Sequence, residues 1–107
     1  MNSIEEILDI VELDKIIQNN SLALVDFYAS WCAPCKMQTP LLIEFQEEMQ
    51  KKVKIIKVDV DQNPEIANKY NVQMVPTIIL FQNGEQKEKT VGLTAKATLS
   101  EMLIKYL

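Results

Sequence analysis

The chain has 107 residues, 48 % of them apolar and 24 % charged, with only two glycines and four prolines; that length holds one ordinary hydrophobic core, and the composition excludes a disordered or low-complexity protein. The net charge is -4 and all eleven basic residues are lysine, so no guanidinium fork is available for phosphates or guanine edges, and nucleic acid is not an expected partner. No apolar run approaches the roughly 20 residues that span a bilayer, so no membrane partner is expected either.

The opening MNSIEEILDIVELDK is acidic from Glu5 and lacks a basic start followed by an apolar run. It does not read as a secretory signal, and the expected location is the cytosol. Ile4 to Ile7 is expected as a short edge strand before a helix from about Ile10 to Gln18, with one continuous helix as the alternative. LALVDFYA (22–29) and VKIIKVDV (53–60) are short, apolar, β-branched and aromatic runs, the pattern of strands buried on both faces of a mainly parallel sheet. Between them, PCKMQTPLLIEFQEEMQ carries Met37, Leu41, Leu42, Phe45 and Met49 at helical spacing and leads into Glu47–Lys51 and Glu48–Lys52 pairs of favourable order. This predicts a helix crossing over the sheet, with Pro40 inside it removing one backbone bond and kinking the axis.

Asn63-Pro64 reads as the cap and first position of a second helix, PEIANKY. TIILF (77–81), Asn83-Gly84 and KTV (89–91) read as a hairpin whose turn takes positive φ. Thr94 is expected to cap a last helix running to Leu107, with Leu99, Met102, Leu103 and Tyr106 as its apolar stripe. Strands alternating with helices, closed by an antiparallel hairpin and a helix, predict an α/β domain with a mixed central sheet covered on both faces. Chemistry in such folds concentrates where strands end and helices begin.

Cys32 and Cys35 lie at one such junction, in YASWCAPCKMQTP, and the chain has no other cysteine and no histidine. A structural zinc site wants about four Cys or His ligands, and two are present. A permanent crosslink over two intervening residues constrains the unfolded chain little and is unusual in a reducing compartment. A Cys-x-x-Cys at a helix start is a different matter, because the first sulfur meets unpaired N–H groups and the positive end of the helix dipole, which favour thiolate. The second sulfur, one turn on and expected to be more buried, can return to break a mixed disulfide. Asp26 interrupts a run that otherwise looks buried, where an unpaired carboxylate costs several kcal/mol or stays protonated. Lys57 is set likewise among Ile55, Ile56 and Val58. The competing reading is that Asp26 and Lys57 snorkel from strand ends into solvent.

The segments VDFYASWCAPCK, KVDVDQNPEIANKYNV, VPTIILFQNGE and VGL, in that order and over nearly the whole chain, resemble the thioredoxin family. The resemblance implies a single thioredoxin-fold domain over 1–107, with about five strands and four helices. It implies Cys32 as attacking thiolate and Cys35 as resolving thiol, Asp26 as a buried acid that exchanges protons with Cys35 through water, and Lys57 as the partner of that acid. Trp31, otherwise readable as a core aromatic, would pack beside the site, and Pro34 would limit the bend between the sulfurs. Val75-Pro76 would be a cis bond, where sequence alone predicts trans, and the Val75 backbone would pair with an extended substrate chain. Gly92 would allow close backbone approach, and Trp31, Ala33, Pro34, Val75, Pro76 and Leu93 would form an apolar rim for protein partners; Val91 and Leu93 fit a core equally well.

The implied activity is reduction of disulfides in cytosolic proteins by a monomer without a bound cofactor, re-reduced by a flavin-dependent thioredoxin reductase drawing on NADPH. Two departures from the family pattern are Ala33, where glycine is usual, and Met74, where small residues are common. They leave room for a dedicated electron donor or an oxidase-leaning variant, and a scaffold without turnover is the alternative of a different class.

Overall fold

The computed structural model describes residues 3–107. Its elements run β1 (Glu5–Ile7), α1 (Ile10–Asn19), β2 (Leu22–Tyr28), α2 (Ala33–Met49), a 3-10 turn (Gln50–Lys52), β3 (Lys54–Asp59), α3 (Pro64–Lys69), β4 (Thr77–Gln82), β5 (Glu85–Val91) and α4 (Lys96–Ile104). The strand order is β1-β3-β2-β4-β5. β1 and β2 run parallel to β3, and β4 runs antiparallel to β2 and β5. This is the mixed sheet expected, with four helices and the strand-then-helix opening.

Alternation along the strands divides the core into two layers. Leu22 and Leu24 on β2, Ile55 on β3 and Ile78 and Leu80 on β4 pack against Leu42 and Phe45 of α2 and Leu99, Met102 and Leu103 of α4. On the other face Val25, Phe27, Ile56, Val58, Ile79 and Phe81 meet Leu13 and Ile17 of α1 and Ile66 of α3. β5 is the exposed edge, and its run of glutamates and lysines discourages pairing with another chain.

The turns follow side-chain chemistry. The Asp9 carboxylate accepts from the Glu12 N–H at 2.8 Å while the Glu12 carboxylate accepts from the Leu8 N–H at 2.9 Å, a reciprocal cap that starts α1. Asn83 and Gly84 take φ of 50° and 87° and close the β4–β5 hairpin over two residues. A Cβ at Gly84 would lie 2.7 Å from the end of the Gln18 side chain, which can swing aside, so it is the positive φ that favours glycine there.

Local expectations fail where a tertiary partner competes. The helix after the cysteines ends at Met49, and Gln50 turns to φ 53°. Glu47–Lys51 and Glu48–Lys52 are therefore off helical spacing and do not pair; Glu48 and Glu44 instead meet Lys96 at 2.5 and 3.4 Å. Asn63 holds the N-cap position before Pro64, but its amide donates to the Asp59 carbonyl at 3.0 Å rather than accepting from the helix. Thr94 does not cap the last helix. Ala95 is its N-cap, and the helix stops at Ile104, short of Leu107. The Thr94 hydroxyl turns inward to Thr90 Oγ1 at 2.9 Å and the Gly92 carbonyl at 3.0 Å.

Candidate active site

β2 ends at Tyr28, and a short bend delivers the chain to α2, whose N-cap is Cys32 and whose second residue is Pro34. Proline there forfeits only a donor that has no helical partner. Cys32 and Cys35 are joined as a disulfide with their Cα atoms 5.3 Å apart. Cys32 Sγ accepts from the Cys35 N–H at 3.2 Å, the contact that becomes a charge-assisted bond when that sulfur is a thiolate. Each cysteine is 3 % exposed. The expected difference in burial between the two cysteines is thus absent in this disulfide form, where both pack with Ala29, Val60 and Val75.

The Val75-Pro76 bond is cis, and the Val75 carbonyl oxygen lies 3.6 Å from Cys32 Sγ. The Pro76 carbonyl accepts from the Gly92 N–H at 2.8 Å, which ties the loop before β4 to the bend after β5. Gly92 has φ 91° and open space at its Cβ position, so backbone conformation is what calls for glycine. Val91 and Leu93 are exposed beside it rather than core. Pro76 is buried, which corrects its place in the expected rim: it supports the surface from beneath, while Trp31, Ala33, Pro34 and Leu93 face solvent and Val75 is half-buried.

Trp31 is 70 % exposed and its Nε1 donates to an Asp61 carboxylate oxygen at 2.8 Å; it is not a core aromatic. Trp31 and Val75 line an open groove of about 460 Å³ together with Val60, Asp61, Val72 and Met74. Met74, 65 % exposed, forms part of this wall and also lines a smaller depression with Lys89 and Val91. The sequence offered no sign that Asp61 would anchor Trp31.

Asp26 lies on the α2-facing side of β2, directly opposite Lys57 in the parallel register. It is 1 % exposed and its Oδ1 has no hydrogen-bond partner, so it does not snorkel. Burial pushes its carboxyl up to about 7, against a weaker downward pull from the Lys57 ammonium. Lys57 is half-buried, its ammonium 5.3 Å from the centre of the Tyr28 ring.

Gln38 escaped the sequence reading. It is fully buried on the inward face of α2 with Cys35, Leu42 and Phe45. Its amide donates to the Thr94 carbonyl at 3.0 Å and accepts from the Thr94 N–H at 2.8 Å. A polar residue at the buried spacing 35, 38, 42, 45 was the available signal.

The thioredoxin family model matches residues 6–105. The chain belongs to the thioredoxin family. It is 43 % identical over 90 residues to a thioredoxin of Rickettsia bellii, covering 84 % of this chain and 86 % of that one. Identity to a thioredoxin of Rickettsia typhi is 39 % over 102 residues, 95 % of this chain and 97 % of that one. Among solved structures, a mutant thioredoxin from Halobacterium salinarum superposes with a TM-score of 0.90 at 37 % identity, covering 98 % of this chain and 91 % of that one. With its Cys32–Cys35 redox pair, this member of the family is a protein-disulfide oxidoreductase.

Proposed function

We propose that the protein works in the reducing direction, as a monomeric electron carrier that reduces disulfides of cytosolic proteins and is itself recharged by a thioredoxin reductase. The observation that carries this reading is the Cys32–Cys35 pair at the start of α2, beside an open apolar groove and on the sheet face that holds a buried, unpartnered acid. That both cysteines of the chain belong to the pair fits a reducing compartment.

In the reduced protein, the Cys32 thiolate attacks one sulfur of a substrate disulfide. The substrate S–S bond breaks, its leaving sulfur takes a proton from solvent, and Cys32 is left in a mixed disulfide. Cys35 then gives up its proton, accepted by the Asp26 carboxylate through water, and its thiolate attacks Cys32 Sγ. The mixed disulfide breaks, the second substrate sulfur leaves as a thiolate that takes a proton from solvent, and the Cys32–Cys35 disulfide forms. Two electrons have passed to the substrate and must be restored by the reductase. The Val75 backbone offers pairing to the extended substrate chain, with Trp31, Ala33, Pro34 and Leu93 as apolar contacts around it, Gly92 as the open backbone beside Pro76, and Lys57 tuning Asp26.

The test is insulin reduction followed by turbidity in dithiothreitol. Acceleration by the wild type and its loss in Cys32→Ser are expected; a wild type without effect overturns the reductase reading in favour of a scaffold. A redox titration gives the direction independently, and a potential near that of strong oxidants, about -120 mV, contradicts the proposal.

A further inference from the structure

Glu6, Lys57 and Asp26 form one row across three neighbouring strands. Glu6 on β1 is opposite Lys57 on β3, and Lys57 is opposite Asp26 on β2. Alternation puts all three on the face that α2 and α4 cover. The next row in one direction is apolar, Ile55, Leu24 and Leu80; in the other it is Asp59 and Tyr28.

A lysine between two carboxylates has two partners to choose from. Glu6 is exposed and offers a hydrated, weak ion pair. Asp26 is buried and attracts more strongly, but drawing an ammonium toward it strips water from both. Tyr28 biases this choice through both its ends. Its hydroxyl donates to the Glu6 carboxylate, and its ring face lies 5.3 Å from the Lys57 ammonium. Among the described residues Lys57 makes no ion pair within 4.0 Å, so the cation is held off Glu6 and over the ring.

The other groups around the row are already engaged or uncharged. Asp59 accepts from the backbone N–H of Asp61 and Gln62. α2 presents Cys35 in its disulfide and Gln38 bound to Thr94. β4 presents Ile78, and α4 presents Leu99, Met102 and Leu103.

We propose that Tyr28 and Glu6 are positioning residues for the redox reaction: Tyr28 occupies the Glu6 carboxylate and offers Lys57 a ring face, which keeps the ammonium within reach of Asp26 and so sets the pH at which Asp26 takes the Cys35 proton. This rests on Asp26 being the proton acceptor described above. The same burial that raises Asp26 makes it responsive to small movements of one nearby cation.

Two variants should act in opposite directions. Tyr28→Phe frees the Glu6 carboxylate to draw Lys57 outward, and Asp26 should titrate about half a pH unit higher, the size of one exposed ion-pair or cation–π contact. Glu6→Gln removes the outward partner and its negative charge, and Asp26 should titrate lower. In a Lys57→Met background the Tyr28→Phe shift should vanish and the Glu6→Gln shift should shrink to the direct effect of the lost charge. The readout is the Asp26 carboxyl carbon followed by NMR across pH in the oxidised protein, which needs no turnover. Shifts of the same sign, a Tyr28→Phe shift that persists without Lys57, or no shift in either variant would overturn the positioning role. A wild type that fails to reduce insulin instead overturns the reductase reading and leaves the titration result standing.

Discussion

Asp26 and Lys57 face each other across the parallel pairing of β2 and β3, yet no hydrogen bond reaches Asp26 Oδ1 and burial dominates its titration. The folded carboxyl titrates at about 7 against an ordinary 3.8, so between those values the native state keeps a proton that the unfolded chain has released. Stability therefore falls as pH rises through that window and levels off above it, a loss of roughly 4 kcal/mol in all. Asp26→Asn should recover most of that in guanidinium denaturation at pH 8 and little near pH 4. An equal gain at both pH values would show that buried charge is not the cause.

Gln38 ties the helix that carries the cysteines to the bend that follows Gly92. Gln38→Leu keeps the volume roughly but leaves the Thr94 N–H and C=O buried without partners, at about 1–3 kcal/mol for each group left unsatisfied. Denaturation should show the loss, and hydrogen exchange of the Thr94 amide should accelerate far more than that of β2 amides. Uniform acceleration across the chain would mean that global stability, not this clamp, had changed.

The reciprocal bonds of Asp9 and Glu12 start α1 on the face opposite α2. Asp9→Ala should cost about 1 kcal/mol, while Asp9→Ser should retain most of the stability because serine also caps. Thermal unfolding of the two variants checks this, and insulin reduction should be unchanged in both.

Ala33 is exposed at the first position of α2. Replacing it with glycine changes helix preference by at most about 1 kcal/mol, and only the part that differs between dithiol and disulfide reaches the potential. The midpoint of Ala33→Gly should lie within about 30 mV of the wild type, since that interval corresponds to 1.4 kcal/mol for two electrons. A larger difference in a glutathione titration would mean that the Ala33 methyl strains one redox state.

Periodicity carried most of the architecture because it reports burial, which local residue choice must satisfy wherever the core lies. LALVDFYA and VKIIKVDV read as interior strands, Asn83-Gly84 as a tight turn, and a Cys-x-x-Cys leading into an amphipathic run as a helix start. What periodicity does not carry is the identity of a polar group's partner. Thr94 was a good cap by type, but its hydroxyl turned to Thr90 and the Gly92 carbonyl, and Gln38 from 56 residues away took its backbone groups. Glu48 was well spaced for Lys52, but the helix ended first and Lys96 was nearer.

The sequence by itself therefore determined the alternation of strands and helices, the cysteine pair at a strand–helix junction and an acid set within an otherwise apolar strand. Tertiary structure alone decided that Pro76 lies beneath the rim, that Trp31 is tethered outward by Asp61, and that Glu6, Lys57 and Asp26 line up across three strands. Burial is a property of each residue and leaves its mark on composition, whereas a hydrogen bond or charge contact joins two residues that the chain brings together only when it folds.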